Sequence, residues 1–247
     1  MLKISVITLC KNNETTIADA MQSFQMQDYP NKEHIVIDGA STDNTLYIIK
    51  QFDPDILKSE PDQGMYFAAN KGIALATGDI IAFLHADDLF ASPNVLSRMA
   101  ETIEQNNADA AYADLVYVSK DNVDKVIRNW QSGSFSPKRL KFGWMPPHPT
   151  FFASKQVYQT YGVFDTSYRI AADYDLMMRF LSKPNFKVSY CPITTVKMRT
   201  GGISNRSAKN ILNKMREDLR AARSNKIGGL FTLIFKNLRK VGQFFGK

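Results

Sequence analysis

The chain has 247 residues, 44% hydrophobic and 22% charged, with glycine and proline scattered along its length. That is enough to bury a core without staples and excludes a disordered, collagen-like or coiled-coil chain, while two cysteines, Cys10 and Cys191, are too few for a disulfide scaffold and point to a reducing, cytoplasmic compartment. The formal charge of +7 is unevenly divided, net −2 over residues 1–205 and net +9 over residues 206–247, which disfavours a nucleic-acid footprint on the main body and makes the basic end a separate question.

In chain order, MLKISVITLC turns polar at KNNET, too early for a signal peptide, and its β-branched KISVITLC predicts a strand. Ile17, Met21 and Phe24 recur at helical spacing until Pro30, and EHIVID supplies a second strand, so the first forty residues form a βαβ unit. GASTDNT is a turn and LYIIKQF a helix. SEPDQG is turn-rich, and the small residues Ala68, Ala69, Ile73 and Ala76 predict a helix able to lie close to a strand, ended by Gly78. DIIAFLHADD is the most apolar strand, delivering polar groups at its carboxyl end. A helix over NVLSRMAETIEQNN, a strand in ADAAYADLVYVS, an antiparallel addition in DNVDKVIRNW, a proline-rich loop over residues 131–150, a helix in YRIAADYDLMMRFLS and late strands in FKVSYCPITTVKMR follow. The pattern is α/β, with ligands expected beyond the carboxyl ends of the parallel strands.

Several polar residues are candidates for chemistry. Asp38 ends a strand before Gly39 and is suited to accept from a base or ribose, whereas Asp43 and Thr42 are equally suited to cap the next helix. Asp87 and Asp88 follow an apolar strand, where paired carboxylates need a cation, hydrogen bonds or solvent; oxygen ligands suit Mg²⁺ or Mn²⁺, and a helix cap is the competing reading. Asp173 and Asp175 are spaced i, i+2 and so fall on different helix faces: Asp173 is either a cap or a base aimed into a cleft, and Asp175 pairs most simply with Arg179. His148 stands between prolines, presented to a cleft or held structurally. Gly201 and Gly202 begin GGIS, either a loop closing on an anionic group or a plain connection. His34, His85 and His148 lack a zinc-ligand spacing, and no GxGxxG or Walker A sequence is present.

VITLCKNN, IVIDGASTDNT, EPDQGMYFAANKGIALATGDIIAFLHADD, PPHPTFF, AADYDLMMRF and GGIS, in this order over residues 1–205, resemble the inverting family-2 glycosyltransferases of the GT-A fold, particularly bacterial enzymes of colanic-acid and polysaccharide biosynthesis. The resemblance implies a Rossmann-like, mixed but mostly parallel sheet flanked by helices in a catalytic domain over residues 1–205. It also implies transfer from a nucleotide-sugar, a UDP-sugar first, to a saccharide hydroxyl on a lipid-linked acceptor, with Mg²⁺ or Mn²⁺. By the same resemblance Thr8 and Leu9 line the nucleotide pocket, Asp38 contacts base or ribose and Lys71 lies toward the diphosphate. Asp87 sits near ribose and metal, Asp88 is the principal metal ligand and Asp173 the catalytic base. His85 and Phe67 depart from the pattern, each standing where an acidic residue is common. A nucleotide-sugar-binding scaffold and a sugar-phosphate nucleotidyltransferase are the alternatives.

Residues 206–247 carry two apolar stripes. Ala208, Ile211, Leu212, Met215, Leu219 and Ala222 form a face expected to pack on the catalytic domain. Ile227, Leu230, Ile234, Leu238, Val241 and Phe245, flanked by Phe231, Phe235 and Phe244, oppose Lys236, Arg239, Lys240 and Lys247. The second is the pattern of a helix lying in an anionic membrane surface, and it implies a peripheral place on the inner face of the cell membrane. Docking on its own domain or on a second subunit is the other reading.

Overall fold

The computed structural model describes residues 1–201 and 208–242. Its elements in chain order are β1 (Ile4–Cys10), α1 (Ile17–Gln25), β2 (Lys32–Asp38), α2 (Thr45–Gln51), β3 (Ile56–Ser59), α3 (Met65–Leu75), β4 (Ile80–Phe83), β5 (Leu89–Phe90), α4 (Val95–Gln105), β6 (Ala110–Val118), β7 (Val126–Trp130), α5 (Pro137–Lys141), β8 (Phe152–Ser154), α6 (Lys155–Tyr161), α7 (Ala172–Leu181), β9 (Val188–Arg199), α8 (Ala208–Ser224) and α9 (Leu230–Gly242). A single turn of 3-10 helix, His148–Thr150, precedes β8.

The strands form one sheet in the order β3-β2-β1-β4-β8-β6-β9-β5, with β7 paired to β6. Its first half, β3 to β4, is wholly parallel. The second half is not: β8 runs antiparallel to both β4 and β6, β7 to β6 and β5 to β9, and only β6 and β9 are parallel there. The expected mixed sheet is therefore found, most of its parallel pairs gathered in the first half and its antiparallel pairs in the second. The three residues of β8 hold the halves together, Ala153 standing opposite both Ile81 and Ala110.

Alternation along β1 divides the core. Ile7 faces a cluster with α3, α6 and α7, whereas Ile4 and Val6 face one with α1 and α4. The small-residue helix lies close to its strand as predicted: a Cβ on Gly72 would stand 2.5 Å from Ile7 Cγ2. That helix ends at Leu75, three residues before the predicted stop at Gly78, where the backbone of Ala76 turns extended. The 131–150 loop contains the short helix α5, and FFASKQVY divides into β8 and α6. Helix α7 is apolar on nearly every side, with Tyr174, Leu176, Met177, Met178, Phe180 and Leu181 all buried.

The C-terminal helices differ from their predicted packing. On α8, Ala222 is buried and Leu219 packs on the core, but Ile211, Leu212 and Met215 are exposed. On α9 the buried residues are Thr232, Leu233 and Lys236, while Leu230, Phe231, Ile234, Phe235 and Leu238 lie open, Phe231 at 78%. Lys236, expected on the solvent side, is turned inward. The loop after α5 receives the helix at Gly143, whose φ of +68° and lack of a side chain matter together: a Cβ there would sit 2.4 Å from the Lys236 amide nitrogen. Among the described residues no helix is long and apolar enough to cross a membrane. Phe244, Phe245 and Lys247 lie outside the described residues.

Candidate active site

The carboxyl ends of β1, β2, β3 and β4 share one edge of the sheet, and a pocket opens there on the α3 and α7 side. It is lined by Leu9 from β1, Met65, Tyr66 and Ala69 from α3, Phe83 and His85 from the end of β4, His148, Phe164, and Asp173 from the first turn of α7. Leu9, His148 and Asp173, widely separated in sequence, are thus brought together. Asp175 is on another face of α7, bonded to Arg179 at 3.1 Å and to Asn225, just after α8, at 2.9 Å.

The lining combines aromatic rings with the imidazoles of His85 and His148 and the Asp173 carboxylate. The His148 ring lies 5.3 Å from Phe83, 5.5 Å from Phe164 and 6.3 Å from His85. Burial pushes His148 down to about 4, Asp173 opposing and His85 adding to the shift. Burial also lowers His85, against the charges of Asp87 and Asp173. At neutral pH both rings are uncharged, each offering one donor and one acceptor beside the Asp173 carboxylate. Asp173 accepts from the Tyr174 N–H at 2.8 Å, so part of its capacity serves the helix start and the rest faces the pocket. Tyr66 fixes the approach to that turn by donating its hydroxyl to the Ile170 carbonyl at 2.7 Å.

Asp87 and Asp88 diverge. Asp87 is half-buried and within electrostatic reach of His85. Asp88 is 1% exposed; its Oδ1 accepts from the Arg199 N–H at 3.1 Å, and its Oδ2, equally buried, meets no donor. Burial and the adjacent Asp87 push its carboxyl well above the usual range, against the pull of Arg199. A buried carboxylate oxygen without a partner, next to a second carboxylate, fits a hard divalent cation. Arg199 in turn donates to the Asp87 carbonyl at 2.8 Å and pairs with Asp19 of α1, tying this turn to β9. Among the described residues no group of three His, Cys, Asp or Glu side chains could hold a metal ion. A hard cation there would draw on these two carboxylates, with water or substrate completing its ligands, as Mg²⁺ commonly does.

Other predicted residues stand apart from the pocket. Thr8 points to the opposite sheet face from Leu9, its hydroxyl 2.9 Å from His34 Nε2. Asp38 is fully buried at the end of β2, where Ser41 and Ser59 donate to its carboxylate and shape the following turn. Lys71 does not line the pocket: its ammonium is held by Glu60 and Asp62, both at 2.5 Å, because α3 turns that side chain toward the end of β3. Gly201 is exposed with a φ of +111°, and Gly202 lies outside the described residues. Of the pocket aromatics, Tyr66 stands at the start of α3 and Phe83 at the end of β4, places the sequence marks as element ends, whereas Phe164 lies between α6 and α7 with no such signal.

The profile of Glycosyl transferase family 2 matches residues 5–170. The chain belongs to glycosyl transferase family 2. It is 31% identical over 208 residues to a PGL/p-HBAD biosynthesis glycosyltransferase of Mycobacterium tuberculosis, covering 81% of this chain and 78% of that protein. It is also 33% identical over 142 residues to an uncharacterized glycosyltransferase of a Nostoc species, covering 56% and 42%. Among solved structures, S. aureus TarS residues 1–349 in complex with UDP-GlcNAc superposes with a TM-score of 0.68 at 19% identity, covering 89% of this chain and 66% of that one. The mannosyltransferase PcManGT of Pyrobaculum calidifontis, in complex with GDP-Man and Mn²⁺, gives 0.64 at 17% identity, covering 89% and 64%. These likenesses are of fold, consistent with the GT-A arrangement, and this glycosyltransferase spans about 65% of the length of the solved TarS 1–349 chain.

Proposed function

We propose that this family-2 glycosyltransferase moves a sugar, with inversion, from a nucleotide-sugar to a saccharide hydroxyl, and that Asp173 is the general base. The observation that carries the reading is the Asp173 carboxylate on the wall of a pocket at the carboxyl edge of β1 and β4, beside two uncharged imidazoles. Asp173 takes the proton from the acceptor hydroxyl as its oxygen attacks the anomeric carbon. The bond from that carbon to the diphosphate oxygen breaks, and its electron pair leaves with the nucleoside diphosphate. Asp87 and Asp88 would hold Mg²⁺ or Mn²⁺, which would supply positive charge against the leaving diphosphate. His85 and His148 hydrogen-bond substrate hydroxyls, and Phe83 and Phe164 exclude water from the reacting face.

A UDP-sugar is the donor to test first, on the strength of the family resemblance. The Asp38 turn adjoins the end of β1 and is retained as its base or ribose contact. A lipid-linked acceptor and an anionic membrane surface are supported by the open apolar face of α9 together with the basic Lys138 and Lys141 of α5, which flank Phe142 and its 5.4 Å ring contact with Phe235. Asp173→Asn lowers transfer at least about 100-fold while nucleotide binding persists, because an acid–base group is lost and donor contacts are not. A donor-by-acceptor matrix, run with divalent metal and again after chelation, measures it. Near-normal turnover by the folded variant returns Asp173 to a capping role, and full activity after chelation removes the metal assignment.

A further inference from the structure

The turn that carries Asp173 is held by a helix that lies beyond the segment matched by the family profile. Glu217 of α8 reaches back to the chain entering α7: its Oε2 accepts from the Ile170 and Ala171 N–H groups at 2.8 and 2.9 Å, and its Oε1 from the Arg169 N–H at 3.1 Å. Three consecutive N–H groups at a helix start thus share one carboxylate, in charge-assisted bonds. Around it, Arg220 donates to Ser167 at 2.8 Å and lies 4.3 Å from the Tyr168 ring, and Asn225 donates to Asp175. Helix α9 adds a buried contact to the same turn: Lys236 Nζ stands 2.8 Å from Asp218 of α8 and 3.4 Å from the Tyr174 ring centroid, directly after Asp173 in sequence.

We propose that Glu217 is a positioning residue for Asp173, and that the docked α8–α9 pair completes the active site rather than serving only as an appendage to it. The inference rests on the reading of Asp173 as the base. From α3, the Tyr66 hydroxyl reaches the Ile170 carbonyl and the backbone of Ala172 and Asp173, and Asn70 bonds both backbone groups of Phe164 upstream; the carboxylate that accepts from the Arg169, Ile170 and Ala171 N–H groups comes from α8. Without Glu217 the three amides have no acceptor in this arrangement, and the first turn of α7 relaxes away from the pocket. Misplacement of a reacting group by about an ångström costs on the order of 100-fold in rate, whereas donor contacts made by other elements are unaffected.

The test uses the full chain with Glu217→Ala, Glu217→Gln and Asp173→Asn. Hydrogen exchange of the amides in 169–175 is read first: in Glu217→Ala they exchange at least about tenfold faster while the β1–β4 amides are unchanged. Gln keeps one acceptor oxygen but turns an NH₂ group toward one of the three amides, and so falls between wild type and Ala. Release of UDP from UDP-glucose and UDP-N-acetylglucosamine, with octyl glucoside as acceptor, then shows kcat falling in the order wild type, Gln, Ala, with donor KM within about twofold. Wild-type exchange in 169–175, or kcat within twofold of wild type in a folded Glu217→Ala protein, overturns the proposal. If Glu217→Ala does not fold, Glu217→Gln decides by the same criteria. A dead Asp173→Asn with a normal Glu217→Ala rejects the clamp and leaves the base standing; an active Asp173→Asn rejects the base and the clamp with it.

Discussion

Helices α7 and α9 meet at Tyr174 and Lys236, yet they use their side chains in opposite ways. In α7 nearly every apolar residue is inside, and its polar Asp175 is satisfied by Arg179 and Asn225. In α9 a lysine is inside and a row of leucine, isoleucine and phenylalanine is outside. Both sequences show apolar residues at helical spacing. The difference teaches that periodicity identifies a face and leaves open what that face meets: α7 is wrapped by its own domain, whereas α9 is anchored through its polar side and leaves its apolar side for something else.

The comparison breaks first at Lys236. Lys236→Met strands Asp218 in the interior and costs about 3–5 kcal/mol in denaturant unfolding, and adding Asp218→Leu recovers most of it. If the single variant is neutral, the inward lysine is not an anchor. Leu176→Ala in α7, fully enclosed, costs about 2–5 kcal/mol by the same measurement. A smaller effect is read by pH. His34 is pushed down to about 3 and His148, beside α7, to about 4, both by burial. Each is neutral in the fold while the unfolded chain takes up its proton near pH 6.5, so stability is complete above that value and is lost as the pH falls toward 4 and below. Thermal unfolding at pH 7 and pH 5 shows the fall, and His148→Gln makes the slope shallower. The smallest effect belongs to the open face of α9: Leu238→Ser changes stability by no more than about 0.5 kcal/mol but weakens flotation with anionic vesicles. Unchanged flotation removes the membrane from the account of that face.

Much of the parallel half was legible because local rules suffice there. β-branched runs gave β1 and β2, and Val95, Leu96, Met99 and Ile103, all buried, gave α4. Strand β3 was missed since ILKS, three half-buried residues and an exposed serine, lies among charged neighbours, and β5 since two residues carry no period. The separation of Asp173 from Asp175 followed from helix geometry alone. The separation of Thr8 from Leu9 was available from strand alternation and was not used. The contacts of Glu217 with residues 169–171 and of Lys236 with Tyr174 left no local trace, because those partners stand more than forty residues earlier in the chain, at the start of α7.

The brevity of β8 carries a consequence for how this molecule is made. The strands of residues 4–83 pair with neighbours close in sequence and reach solvent first as the chain leaves the ribosome. They cannot join β6 until Ala153 emerges to lie between them, and α8 and α9 close on α7 later still. The order of synthesis therefore sets much of the order of assembly, although β5, made before β6, waits for β9. A nascent chain halted before residue 152 presents the open edge of β4, four apolar residues with no neighbour, which makes that moment the one at which it is most exposed to association with other chains.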